Sequence, residues 1–538
     1  MNRISSRTTG RAAAATFGRL LPRTAQIIAG GVAFLLLVSM PAAGFETLET
    51  ELQLDTLFAP LQPGGPRIEA HFDAMLAADM NNDGRKELII PGSDGRLRLL
   101  RLSDRLRRLE LATWALVNTR VEGDLVRTNI YLTTAHLDPG GTESLLVALP
   151  RGIFEVRVEG DPPEPRFYTV FDRTFIGDSR RDRARIERLD FAADLDGDGR
   201  SELWIPEQEG MAFWRRNEKD GTWQEVGLPP ASPRVSQTAG AVPIDTSSVQ
   251  PDLYSLRFRH RLDYPDFHLF DLDRDKRVEI LLLSDDHQSG PPVRIAEVYE
   301  MGNPLQYTTA PVQIRRAPIG QGNQTFLDLN GDGFLDMLEV SSNVDMVKPR
   351  TVILVYISPP VREYQFSRHT YRYTAPDPIG MVLHGEWNGD DLADLAYTQF
   401  EYTFGSTNDL VEMLLGREVG VTLRFVYGED GKYGRPVQDL RFDIRNRSFN
   451  YRYFPPFSME GDFDGDKRSD LLIRPRPERI QLHLSDGRGG QLNPREAVSI
   501  DVAETAYCFI EDLDGDGRSD LIVCDPGAPA IRAFLSRP

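Results

Sequence analysis

Seven times along this chain, four oxygen-bearing side chains recur at positions 1, 3, 5 and 9 of a short loop, with glycine usual at position 6. The sets are Asp79, Asn81, Asp83 and Glu87; Asp194, Asp196, Asp198 and Glu202; Asp271, Asp273, Asp275 and Glu279; Asp328, Asn330, Asp332 and Asp336. They continue as Glu386, Asn388, Asp390 and Asp394; Asp462, Asp464, Asp466 and Asp470; and Asp512, Asp514, Asp516 and Asp520. One such segment reads equally well as a solvated turn. Seven with the same spacing require a common purpose. Like charges this close repel, by about 4 kcal/mol for a pair 4 Å apart at an effective dielectric of 20, so the loops call for a counter-cation.

The spacing suits calcium. That ion takes six to eight oxygens at about 2.3–2.6 Å without strict geometry. Oxygens at positions 1, 3 and 5 converge when the chain curls, a carbonyl at position 7 adds another, and the acid at position 9 closes the cage in bidentate fashion. Position 6 favours a positive φ, which Lys276 and Lys467 adopt only with strain and Asp391 more easily. An EF-hand needs its acid at position 12 and flanking helices. Here short apolar runs follow position 9 at once, as in Leu88–Ile90, Leu203–Ile205, Ile280–Leu283, Leu471–Ile473 and Leu521–Val523. They read as strands, so each loop joins a hairpin.

The loops begin at 79, 194, 271, 328, 386, 462 and 512. The first gap is twice the usual one, and its middle holds His136, Asp138, Gly140, Gly141 and Ser144, a copy that keeps the glycine turn and loses the acids at positions 1, 5 and 9. Eight units with a period of one four-stranded sheet predict an all-β chain folded as a single β-propeller, with eight blades and seven as the runner-up. After Asp520 the chain has room for two strands, near 521–525 and 530–536. The alternating segment Glu49–Phe58 is therefore expected to complete the last blade and join the chain ends.

These loops resemble the FG-GAP/VCBS repeats of integrin-α-like β-propellers over roughly residues 67–538. The stretch Phe425–Pro436, with Gly428, Gly431, Tyr433 and Gly434, is similar to the Gly-x-Gly-x-Phe-Gly-x-Pro turn that such repeats carry after their second strand. The resemblance implies that each loop joins the first two strands of a blade and holds calcium, up to seven structural ions in all. Lys at position 6 in two loops, Glu386 in place of Asp and the acid-poor second copy depart from the pattern.

Residues 1–44 contain no acid and five arginines, then an apolar run from Ile27 to Met40 and small residues at Ala42 and Gly44. This matches a signal peptide cleaved after Gly44, with an uncleaved anchor as the alternative. Residues 45–538 form the propeller, and no membrane span is expected once the signal is removed. Export places the protein in the periplasm, the envelope or the extracellular space. Cys508 and Cys524, the only cysteines, flank the last loop and in such a compartment are expected to form a disulfide. A formal charge of −19 disfavours nucleic acid.

No nucleophile is nominated, because the histidines form no ligand cluster and the acids are absorbed by metal geometry. The expected function is a non-catalytic binding or adhesion module for a glycan or protein ligand. A polysaccharide lyase-like enzyme and a structural partner of an envelope complex are the alternatives. Arg-aromatic runs at 257–264, 364–373 and 449–454 are candidates for the ligand surface.

Overall fold

The computed structural model describes residues 36–39, 46–53 and 69–537, except 104–108, 117–129, 150–151, 160–163, 173–185, 207–210, 218–219, 227–233, 244–253, 264–265, 274, 287–290, 303–305, 320–321, 344–349, 361–362, 366–367, 376–378, 391, 401–417, 430–431, 446–455, 486–490 and 526–529. Apart from one 3-10 turn at Phe72–Ala74, every regular element described is a strand. The strands form eight four-stranded antiparallel blades, with Ile186–Arg188 added in parallel to the first strand of blade 2 and Glu363–Gln365 in parallel to the fourth strand of blade 4. These are blades 1 (76–116), 2 (130–171), 3 (192–226), 4 (266–318), 5 (322–375), 6 (379–445), 7 (457–501) and 8 (507–537 with 46–53).

Eight hydrophobic clusters hold the ring, and each lies between two successive blades. The cluster between blades 8 and 1 joins Leu88, Ile90 and Leu100 to Ile522, Ile531 and Leu535, so the ring is closed. The second strand of each blade is covered on both faces, which is why its sequence is a continuous apolar run: every residue of Glu87–Pro91 and of Asp520–Cys524 is buried. First strands touch where Ile130–His136 meets Leu76–Ala78 and Ala192–Ala193, and where Phe457–Gly461 meets Tyr507–Glu511.

Closure uses both chain ends. Tyr507–Glu511, Asp520–Cys524 and Ala530–Arg537 are completed by Glu46–Gln53, which pairs antiparallel from Glu46 opposite Arg537 to Gln53 opposite Ala530. The expected closing strand therefore exists and begins three residues earlier than its alternation suggested. Leu36–Ser39 adds a further strand outside it. Cleavage after Gly44 would remove that addition and leave the closing strand whole. No helix among the described residues is long and apolar enough to cross a membrane.

Two expectations are corrected. Cys508 and Cys524 are free thiols. Cys508 lies opposite Val523 and Cys524 opposite Tyr507, so the cysteines are one step out of register and their side chains point to opposite faces of the sheet. Cys508 packs toward blade 7, and Cys524 toward blade 1, with its Sγ 3.9 Å from Met75 Sδ. The turn at 425–436 follows the third strand of blade 6, Glu418–Val426, rather than the second, and contains a small hairpin pairing Gly428 with Tyr433.

Candidate metal-binding loops

Each acidic loop leaves the end of a blade's first strand and enters its second, so topology gathers all seven at one end of the ring. The curl at each loop is built from side chains bonded to backbone. In the last one, Asp512 Oδ1 accepts from the N–H groups of Gly515 (2.8 Å) and Asp516 (3.2 Å), and its Oδ2 from Gly517 (2.9 Å). Asp516 Oδ1 accepts from Arg518 N–H at 3.0 Å. The same pattern recurs around Asp79, Asp194 and Asp462. Position 6 has positive φ in the six acidic loops where it is described, and Lys276 and Lys467 hold it at 71° and 69°. The strain expected at those two lysines is present; Asp391 lies outside the described residues.

Position 9 is the keystone. One carboxylate oxygen of Glu87, Glu202, Glu279, Asp336, Asp394, Asp470 and Asp520 accepts from the N–H of position 2, at 2.7–3.1 Å. In the four loops that end in Asp, the second oxygen accepts an N–H from just beyond the third strand, Ser358, Gly428 and Ser485, or from its end, Ser536, at 2.7–2.9 Å. Aspartate is short enough to be spent on two backbone donors, and an ion would share an oxygen already bonded.

Burial pushes these carboxyls up, and the neighbouring acids add to the effect. Glu87, Glu279, Asp336 and Asp470 rise to about 7, Glu202 and Asp520 to about 8, and Asp394 to about 6. A positive charge beside such a group favours its ionised form.

Carboxylates at positions 1, 3 and 9 converge within 4.8 Å in four loops: Asp194, Asp196 and Glu202; Asp271, Asp273 and Glu279; Asp462, Asp464 and Asp470; Asp512, Asp514 and Asp520. These are the loops with Asp at position 3. The other three carry Asn there, and its amide crosses the same space: Asn81 Nδ2 to Glu87 Oε1 at 2.7 Å, Asn330 Nδ2 to Asp332 Oδ2 at 3.0 Å, and Asn388 Nδ2 to Asp390 Oδ2 at 3.1 Å. The donor set fits a hard cation. The Asp514 side chain is only 6% exposed, and its Oδ1 has no hydrogen-bond partner; buried Asn388 Oδ1 is also unpartnered. A bound calcium would supply positive charge to these oxygens and nothing more reactive.

The loops are also chained to one another. The N–H of position 8 donates to a carbonyl at position 1 or 2 of the preceding blade's loop: Glu143 to Asp79, Ser201 to His136, Val278 to Leu195, Ala393 to Leu329, Ser519 to Asp462 and, across the closure, Lys86 to Leu513, at 2.6–3.2 Å. Side chains at position 8 return the bond, with Asp79 N–H donating to Glu143 Oε2, His136 N–H to Ser201 Oγ and Asp462 N–H to Ser519 Oγ. The copy at 136–144 thus keeps its place in the chain without acids at positions 1, 5 and 9. Two blades add a tyrosine from the hairpin after the third strand, Tyr307 Oη donating to Val278 O and Tyr433 Oη to Ala393 O.

The sequence reading missed position 4, although glycine stands there in five copies. Positive φ at Gly197, Gly331, Gly389, Gly465 and Gly515 lets neighbouring loops approach. It also missed the arginines that reach the acids: Arg215 Nη2 lies 2.8 Å from Asp198 and Arg537 Nη2 2.8 Å from Asp514. No spacing rule marks these residues, since they stand on third strands. Of the Arg-aromatic runs, 449–454 lies outside the described residues and 257–263 sits on a two-stranded ribbon with Arg234–Pro243. Tyr371 and Tyr373 pack inward against Tyr433 and Tyr397. The arginines of that run, Arg368 and Arg372, stay exposed.

Residues 462–529, spanning the last acidic loop but one through the last, match the FG-GAP-like repeat family. No curated protein matches the chain. Among solved structures, an Agrocybe aegerita lectin described as recognising non-reducing terminal N-acetylglucosamine is similar at 12% identity and a TM-score of 0.41, over 86% of this chain and 99% of that one. The exotype rhamnogalacturonan lyase YesX is similar at 11% identity and a TM-score of 0.33, over 93% and 76%. The V. cholerae biofilm matrix protein Bap1 is similar at 12% identity and a TM-score of 0.27, over 86% and 77%.

Proposed function

From an eight-bladed propeller that carries an FG-GAP-like repeat at residues 462–529, we propose an exported scaffold whose acidic loops hold structural calcium ions and whose role is non-catalytic binding of a glycan or protein. The observation that carries this reading is how the loop acids are used. Position 1 and position 9 carboxylates are committed to backbone N–H groups, and the loops they order are bonded from blade to blade. Such acids brace a ring. A general acid or base needs a carboxyl free to exchange protons with a substrate.

The test is in two parts. Equilibrium dialysis of the chelator-treated chain should recover calcium in a ratio of several ions per protein, and elemental analysis finding none would remove the metal reading. Incubation with pectic polysaccharides, followed by ultraviolet absorbance, should show no unsaturated product. A clear rise would replace the binding module with a lyase. Calcium-dependent retention on immobilised glycans or envelope extracts would then identify the ligand class.

A further inference from the structure

The Asp194–Glu202 and Asp271–Glu279 loops present the same four acids, Asp, Asp, Asp and Glu, and both gather positions 1, 3 and 9 into one cluster. Their surroundings differ. On the third strand of blade 3, Met211–Arg216, Leu203 pairs with Trp214, which sets Arg215 beside Glu202. Its guanidinium enters the loop, with Nη2 3.2 Å from Asp196 Oδ2 and 2.8 Å from Asp198 Oδ2, and Nε 3.8 Å from Glu202 Oε1. Those are oxygens an ion would use. The remaining oxygens are spent on the curl, Asp196 Oδ1 accepting from Asp198 N–H and Glu202 Oε2 from Leu195 N–H.

In blade 4 the pair Ile280–Tyr299 brings Glu300 to the corresponding register position. Among the described residues, no basic side chain lies within ion-pair distance of Asp271, Asp273, Asp275 or Glu279.

The next residue extends the pattern. Arg216 reaches the loop of blade 2, the copy without acids at positions 1, 5 and 9, where Nη1 lies 3.1 Å from Asp138 Oδ1 and 3.3 Å from Leu137 O. Neighbouring residues on a strand point to opposite faces, so an arginine doublet serves two adjacent loops at once.

We propose, on the basis of the calcium-scaffold reading, that Arg215 is a tethered cation occupying the ion position of the Asp194–Glu202 loop. This loop therefore stays ordered without a divalent ion and takes one up only in competition with the guanidinium. The joint between blades 2 and 3 then depends less on calcium than the joint between blades 3 and 4.

Calorimetric titration of calcium into the chelated full chain tests this. Arg215→Gln is expected to gain about one tight site or to tighten one site at least about tenfold, the direction set by removing a unit charge about 4 Å from the ion. Adding Asp196→Asn to that variant should cancel the gain. Glu300→Arg makes the reciprocal change in blade 4 and should lose about one site, which keeps the inference open to refutation if Arg215→Gln does not fold. Isotherms of both single variants that overlay the wild type would overturn the tethered cation and leave the calcium scaffold intact. No calcium uptake by any of the proteins would overturn both.

Discussion

Gly515 and Gly517 stand two residues apart in the same loop, with φ of +72° and +82°, and both donate their N–H to Asp512. Alanine at either must adopt the left-handed region, at about 1–2 kcal/mol. A Cβ on Gly517 would meet nothing within 4 Å, whereas one on Gly515 would fall 1.8 Å from the carbonyl oxygen of Gly84, in the first blade's loop. That oxygen is main chain and cannot rotate away, so relief requires the two loops to part. Such overpacking adds about 1–3 kcal/mol. Equilibrium urea unfolding in calcium-containing buffer should thus show Gly517→Ala losing about 1–2 kcal/mol and Gly515→Ala losing about 1–3 kcal/mol more. The closing contact between Lys86 N–H and Leu513 O, with its ion pair Lys86 Nζ to Glu511 at 2.7 Å, lies at the same joint. Limited proteolysis should accordingly release the chain ends faster in Gly515→Ala. If the two variants unfold together, within about 0.5 kcal/mol, loop packing does not hold the ring closed.

Chelation should lower the melting temperature, because an ion at 100-fold saturation stabilises the fold by about 2.7 kcal/mol per site if the unfolded chain does not bind it; an unchanged transition refutes the staple role. The position 9 carboxyls sit above their unfolded values, at about 7 or 8 for Glu87, Glu202 and Asp520. Folding therefore favours their protonated forms, and the metal-free protein should be more stable near pH 5 and lose stability as pH rises through 8. Saturating calcium, which requires ionised acids, should flatten or reverse that slope, and a metal-free protein that gains stability over the same range would contradict the burial argument. Lys467, held at φ 69°, should gain about 1 kcal/mol on replacement by glycine, measurable as a higher urea midpoint at constant m.

Loop spacing and the apolar runs after the loops pointed to the all-β class and to eight units, with seven as the runner-up, and the stretch after Asp520 pointed to a missing outer strand in the last blade. Each of those is a local matter, since a short curl of acids and the apolar run after Glu87 or Asp520 depend on neighbours in sequence. The runs are continuous because both faces are covered, and that also can be read from composition.

What only the tertiary structure decided depends on register and on contacts between blades. Cys508 and Cys524 flank the last loop, yet pairing runs from Glu511 opposite Asp520, so Cys508 meets Val523 instead of Cys524 and the sulfurs go to opposite faces. Arg215 acquires its role because Leu203 pairs with Trp214, and Arg537 because the third strand of blade 8 ends beside Asp514. The blade-to-blade bonds from position 8 join successive copies of the loop that are far apart in the chain. Local curls follow from short-range chemistry, whereas the partner each curl meets is set by how twisted sheets pack around a closed ring.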